Sequence, residues 1–121
     1  MWDRFRVKFT IAGVGEAFGE LVKHWAPRTV DRLLASLPLE GRAATWMEEV
    51  YFEVPIKIGT EKAVTEVETG AIAYWPMGNA ICIFYGSSQP TAPVNLIGKI
   101  TEGLELFRKV ELGTVIRMER V

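Results

Sequence analysis

One stretch decides the fold class, residues 71–85, AIAYWPMGNAICIFY. It contains two nearly continuous apolar runs, Ala71–Trp75 and Ala80–Tyr85, and runs of this length are typical of short strands buried on both faces. Residues 76–79 between them are turn formers, so the sequence predicts two strands joined by a turn. A chain built around such a pair is predicted to be mainly β.

Strand patterns recur on both sides of this stretch. Apolar residues alternate with polar ones from Phe5 to Ile11, which is the period-two pattern of a half-buried strand. Two glycines within residues 12–15 predict a tight turn into a second strand over residues 16–21. The other predicted strands cover residues 43–46, 50–54, 94–101 and 115–121.

Two helices are predicted to accompany these strands. Pro27 stands where a helix commonly begins, and Pro38 is expected to end it. A shorter helix is predicted over residues 102–110. Together with about seven or eight short strands, the helices predict a closed or nearly closed β-barrel, because closure removes exposed sheet edges. The apolar face of the first helix is predicted to consist of Val30, Leu33, Leu34 and Leu37.

Composition excludes several classes of function. The 121 residues suit a single domain over residues 1–121, and a net charge of −1 disfavours a broad nucleic-acid or anionic-membrane surface. Cys82 is the only cysteine and His24 the only histidine, which excludes an intramolecular disulfide, a multi-cysteine metal site and a His-rich metal centre. We therefore expect no metal and no cofactor.

Localisation is predicted to be cytoplasmic. Apolar runs are far shorter than the roughly 20 residues of a membrane-spanning helix, and the first residues lack the apolar core of a signal peptide. Side-chain amides are scarce, and thirteen Glu stand against two Asp, which favours a thermophilic source.

Acidic and nucleophilic side chains offer few catalytic candidates. Glu48, Glu49 and Glu53 surround Tyr51, and this group is interpreted as a solvated strand face rather than as an acid–base pair or a cation site. His24 is predicted to be a surface or capping residue. Cys82, inside an apolar strand, is predicted to be an inert core thiol.

Aromatic residues suggest a binding site. Seven of the thirteen aromatic residues lie between residues 46 and 85, where core packing is the simplest interpretation. Tyr74 and Trp75, however, end a strand just before Pro76, where side chains can emerge at the rim of a barrel. Amide side chains nearby in the sequence would complete a small pocket, and they are Asn79, Gln89 and Asn95.

Two motifs resemble cyclophilins. Residues 26–30, APRTV, follow the predicted hairpin and are similar to the A-P-[KR]-T-[VA] segment of that family. Residues 97–105, IGKITEGLE, are similar to its F-G-K-V-x-E-G-M-x segment. The resemblance extends over nearly the whole chain and implies a closed eight-stranded barrel with a helix over each open end. Residues 46–52 and 74–80 resemble a branch of small archaeal and bacterial cyclophilin-like proteins of uncharacterised role.

The catalytic residues of cyclophilins are not matched. The family carries a catalytic arginine in an F-H-R strand, whereas the corresponding stretch here, residues 44–52, has none, and Arg42 is the nearest candidate. That arginine stabilises the twisted X–Pro bond, so weak or no isomerase activity is expected. The alternatives are a divergent peptidyl-prolyl isomerase that uses Arg42 or a tyrosine hydroxyl, and an interaction module that assembles through a sheet face.

The leading hypothesis is a barrel that binds a small molecule or a peptide in an aromatic cleft at its rim. Whether the chain is an enzyme, what its ligand is and how it oligomerises are left open by the sequence. The predicted ligand-binding residues are Trp46, Tyr51, Tyr74, Trp75, Asn79, Phe84 and Gln89.

Overall fold

A computed structural model describes residues 3–121 and contains eight strands. They are β1 (Arg4–Ile11), β2 (Gly15–Val22), β3 (Leu39–Trp46), β4 (Glu49–Glu53), β5 (Ala71–Trp75), β6 (Ala80–Phe84), β7 (Asn95–Glu102) and β8 (Val115–Arg120). All neighbouring pairs are antiparallel, in the order β1-β2-β7-β5-β6-β4-β3-β8, and β8 pairs with β1 to close the barrel. The predicted mainly β, closed eight-stranded barrel is therefore confirmed.

The alternating pattern of β1 determines which of its side chains enter the barrel. Val7, Phe9 and Ile11 are almost completely buried, while Arg6 and Lys8 between them point outward. The hairpin with β2 follows as predicted, and Gly13 takes a positive φ of 75° in the turn, which glycine adopts without a steric penalty.

Helix α1 (Pro27–Ser36) begins at the predicted proline and packs against the barrel. Val30 and Leu33 are fully buried, and Leu34 and Leu37 pack half-buried beside them. The predicted second helix is a 3-10 helix of six residues, Leu104–Lys109, and so is shorter and more tightly wound than expected.

The barrel wall has apolar side chains on both faces at β5 and β6. Ile72 and Ile81 point into the barrel and belong to the inner core, the cluster that also contains Phe9 and Phe52. The alternate residues point outward and form a second cluster, which we call the outer cluster. This arrangement accounts for the continuous apolar runs in the sequence. The buried members of the outer cluster are Ala71, Ala73, Cys82, Phe84 and Val94.

Two segments cover the outer cluster. Val64, in the segment before β5, forms an antiparallel pair with Val94, in the segment before β7, through backbone hydrogen bonds of 2.8 and 3.0 Å. The segment before β5 and residues 85–94 together lie over the outer face of the wall, and we call residues 85–94 the cover.

No helix within residues 3–121 is long and apolar enough to cross a membrane.

Candidate functional site

A cleft of about 200 Å³ lies between the outer face of the barrel wall and the cover, and we call it the outer cleft. It is smaller than the pockets of roughly 300–1,000 Å³ that enclose drug-sized ligands, so its volume suits a compact molecule or a single side chain. The residues that line it are Trp46, Glu49, Tyr51, Trp75, Pro90, Thr91, Ala92 and Val94.

Strands β3 and β4 supply one end of the cleft. Trp46 and Glu49 are directly opposite each other in the β3–β4 register, so their side chains are neighbours on the same face. Tyr51 lies two residues further along β4 and shares that face, because side chains alternate along a strand. Trp46 is 50% exposed, which leaves part of its ring available to a ligand.

Trp75 lies at the other end of the outer cleft. Its ring meets the Tyr51 ring edge to face, with centroids 5.8 Å apart and an interplanar angle of 89°. Gly78, in the turn after β5, lies against the Cε3–Cζ3 side of the indole, and a Cβ at this position would overlap the ring. Trp75 Nε1 is buried and has no hydrogen-bond acceptor among residues 3–121. A buried hydrogen-bond donor without an acceptor is rare in proteins, and this one belongs to a residue that lines the outer cleft.

Glu49 is the charged residue of the cleft. It is 8% exposed, and burial raises the pKa of its carboxyl, while a hydrogen bond with the Cys82 thiol acts in the opposite direction. The pKa of Cys82 is raised well above its ordinary value, first by burial and then by the adjacent Glu49. Cys82 is therefore a buried core residue, as predicted, and its raised pKa favours the protonated thiol.

The interpretation of the acidic group as a solvated strand face is wrong for Glu49. At Glu49 the outward face of β4 is shielded from solvent, because the cover lies over it. Glu48 accepts hydrogen bonds from the Ser87 backbone N–H at 2.9 Å and the Ser87 hydroxyl at 3.2 Å, and its other carboxylate oxygen lies 3.4 Å from Arg108 Nη1. Glu53 is exposed. The three glutamates thus have three different environments.

Gln89 holds the cover in place instead of lining the cleft. Its side-chain oxygen accepts a hydrogen bond from the Val67 backbone N–H at 2.8 Å, and its Nε2 donates to the Val67 carbonyl at 3.1 Å. This pair of bonds ties the cover to the segment before β5. Because Pro90 follows directly, Gln89 positions the part of the cover that forms the cleft wall.

Three other predicted site residues lie elsewhere. Tyr74 is fully buried in the inner core, and Phe84 is buried in the outer cluster. Asn79 occupies the turn after β5, with a positive φ of 50°, and its side-chain oxygen lies 3.3 Å from the Tyr74 hydroxyl. Of the seven predicted ligand-binding residues, the structure brings Trp46, Tyr51 and Trp75 together in the outer cleft.

Arg42 is not part of the cleft. It lies on β3, is exposed, and its Nη1 is 3.4 Å from the Gly113 carbonyl oxygen. His24 is also exposed and makes a side-chain contact with Asp3, in agreement with its predicted surface role. Within residues 3–121, no group of three or more histidine, cysteine or acidic side chains is arranged to hold a metal ion.

Two other hollows have different linings. One of about 450 Å³ runs along β7 beside Trp25 and Lys99, with a single aromatic residue in its lining. Another, of about 380 Å³, lies beside the first turn of α1, where Glu61 already satisfies the backbone. The outer cleft differs from both because three aromatic rings and a buried carboxyl meet there.

The chain belongs to the cyclophilin-like family, whose model matches residues 5–119. It is similar to the solution structure of the hypothetical protein AF2241 from Archaeoglobus fulgidus, with 31% identity and a TM-score of 0.85, covering 98% of this chain and 96% of that one. The family resemblance seen in the sequence is confirmed.

A more distant structural relative is McbB, solved in complex with tryptophan. Its identity is 12% and its TM-score 0.81, over 94% of this chain and 44% of that one, so it shares the fold. No match was found among proteins of curated function.

Proposed function

We propose that this chain binds a compact small molecule, or one side chain of a peptide, in the outer cleft. The observation that carries the proposal is the lining itself, in which Trp46, Tyr51 and Trp75 surround a cavity of about 200 Å³. Aromatic rings with a few polar groups are the usual lining of ligand sites. McbB, which shares the fold, was solved in complex with tryptophan.

Prolyl isomerase activity is expected to be weak or absent. Catalysis of X–Pro rotation needs a donor that stabilises the twisted amide more than the planar one. Arg42 does not line the cleft, and the one charged residue that does is Glu49. Of the two donors considered for an isomerase, only a neutral tyrosine hydroxyl, that of Tyr51, is left in the lining. The cleft therefore supports binding better than it supports isomerisation.

The test is a thermal-shift screen of a small-molecule library, followed by titration of each hit against the parent protein and Trp75→Ala. Because Trp75 forms one end of the cleft, the variant is expected to weaken binding by at least about tenfold. Trp25→Ala is the matched control, since Trp25 lies outside the outer cleft.

Two outcomes would contradict the proposal. One is a set of hits whose affinities are unchanged by Trp75→Ala. The other is cyclophilin-like turnover of an X–Pro peptide in a protease-coupled assay that disappears in Arg42→Ala, which would favour a divergent isomerase instead.

A further inference from the structure

The outer cleft has a single charged side chain in its lining, and that side chain is acidic. Glu49 is accompanied by aromatic, apolar and hydroxyl side chains, and no lysine, arginine or histidine belongs to the lining. A ligand with a negative group at this end of the cleft would meet an uncompensated carboxyl. Charge complementarity therefore favours a cation.

Glu49 also differs from Glu48, its neighbour in the chain, and from Glu61, in the segment before β5. Glu48 is paired with Arg108, and Glu61 accepts hydrogen bonds from the first turn of α1. Glu49 contacts the Cys82 thiol, and the part of the chain that the structure describes provides it with no ion pair. A buried carboxylate without a positive partner is costly, so a ligand cation would supply the interaction that the protein leaves out.

Aromatic rings flank this carboxyl. Trp46 is its direct cross-strand neighbour, and Tyr51 is the next residue on the same face of β4. The faces of tryptophan and tyrosine rings attract organic cations, most strongly in sites shielded from water. A carboxylate beside such rings combines both interactions that stabilise an alkylammonium group.

We propose that the ligand of the outer cleft is a small organic ammonium ion held between the Glu49 carboxylate and the rings of Trp46 and Tyr51. The inference rests on the proposed binding function of the cleft and defines its ligand class. Thr91, in the cover, provides a hydroxyl that can bond a polar group elsewhere on the same ligand.

The test compares choline with 3,3-dimethylbutan-1-ol, in which a carbon atom replaces the charged nitrogen at nearly the same shape. Calorimetric titration of the parent protein is expected to give at least about tenfold tighter binding of choline than of the neutral alcohol. Shape and hydrophobic area are matched in the pair, so the difference reports the charge.

Variants assign that difference to Glu49. Glu49→Gln retains the shape of the side chain, and it is expected to reduce choline affinity to that of the neutral alcohol. Glu53→Gln is the matched control, because Glu53 lies on the same face of β4 but is exposed and outside the cleft.

Choline affinity is also expected to rise with pH as Glu49 loses its proton, since the charge of choline does not change. Among the residues that line the cleft with Glu49 or contact its carboxyl, the titratable ones are Tyr51 on β4 and Cys82 on β6. The raised pKa of Cys82 keeps its thiol neutral from acidic to neutral pH. Glu49→Gln should therefore abolish the pH dependence.

Equal binding of choline and the alcohol, no binding of choline, or choline affinity unchanged in Glu49→Gln would each overturn the ammonium assignment. None of these results removes the proposed binding function, which depends on the screen and on Trp75→Ala. A hit that needs Trp75 but not Glu49 would separate the two proposals.

Discussion

The Tyr74 hydroxyl links the barrel interior to the segment that follows β4. It donates a hydrogen bond to the Ile56 carbonyl at 3.0 Å and accepts one from the Ile58 backbone N–H at 3.1 Å. The ring itself is fully buried in the inner core. Residues 56–58 form no strand, so this side chain satisfies backbone groups that a sheet would otherwise pair.

Tyr74→Phe is expected to lower the free energy of unfolding by about 1–3 kcal/mol, because the Ile56 carbonyl and the Ile58 N–H lose their partner while the ring is retained. Urea unfolding measures the change. Ligand affinity in the outer cleft should stay the same, since Tyr74 faces inward. A variant of parental stability with impaired binding would show that Tyr74 belongs to the site after all.

Glu49 shows where residue-level prediction stops. Period-two alternation correctly places it on the outer face of β4, but alternation identifies a face and not what covers that face. Burial of Glu49 depends on the cover, which lies some 40 residues further along the chain. Trp46, Tyr51 and Trp75 lie in one cleft, in line with the expectation that aromatic residues at strand ends line a rim site. Tyr74 faces inward, and Phe84 faces outward but is fully buried in the outer cluster, a difference that alternation along a strand does not reveal.

Helix α1 depends on a residue that is distant in sequence. Glu61 accepts hydrogen bonds from the backbone N–H groups of Arg28 at 2.9 Å and Thr29 at 2.8 Å, and from the Thr29 hydroxyl at 2.8 Å. Ala26, at the N-cap position, has no side chain that could do this. Asn95 completes the arrangement by accepting a hydrogen bond from the Glu61 backbone N–H at 2.8 Å.

Burial and the neighbouring groups shift the pKa of the Glu61 carboxyl in opposite directions. Burial raises it, but hydrogen bonds from the backbone of Arg28 and Thr29 and the charge of Arg28 lower it below the ordinary value of 4.5 overall. A carboxyl whose pKa is lowered by folding stabilises the folded state above its unfolded pKa, and this contribution is lost as the pH falls through the folded pKa.

Glu61→Gln is therefore expected to destabilise the protein by about 1 kcal/mol at neutral pH, within the range of lost helix caps. The difference from the parent should shrink as the pH falls below 4.5. Urea unfolding at several pH values provides the measurement, with the exposed Glu66→Gln as control. A difference that stays constant down to acidic pH would contradict this assignment of the cap.

Regular elements were largely predictable, and the segments between them were not. Strands β5 and β6 and helix α1 carry their own hydrophobic patterns, so local sequence is sufficient to find them. Residues 55–70 have no such pattern. Their backbone is positioned by hydrogen bonds from Glu61, Val64 and Val67 to residues elsewhere in the chain. Only the folded barrel brings those partners together.

Barrel closure depends on a close approach of β2 and β7. A Cβ on Gly98 would overlap the Glu20 carbonyl oxygen and would lie 3.0 Å from the Leu21 Cα. Both of these groups belong to the backbone of β2, which cannot move without disturbing its other pairing, with β1. Position 98 therefore requires glycine, because the β2 backbone leaves no room for a Cβ atom.

Gly98→Ala is expected to destabilise the whole barrel by about 1–3 kcal/mol or more, as overpacking does elsewhere. The midpoint of thermal unfolding should fall accordingly. Gly59→Ala is the matched control, because a Cβ added at Gly59 would meet nothing within 4 Å and the φ of this residue is not positive. Equal stability of the two variants would mean that β2 and β7 tolerate a wider spacing than the structure shows.

The inner core and the outer cluster share no buried residue, although β5 and β6 contribute to both. Substitutions on the outward positions and in the cover can therefore accumulate without repacking the barrel interior. The two-sided wall therefore allows the lining of the outer cleft to be altered by substitution while the packing of the inner core stays intact.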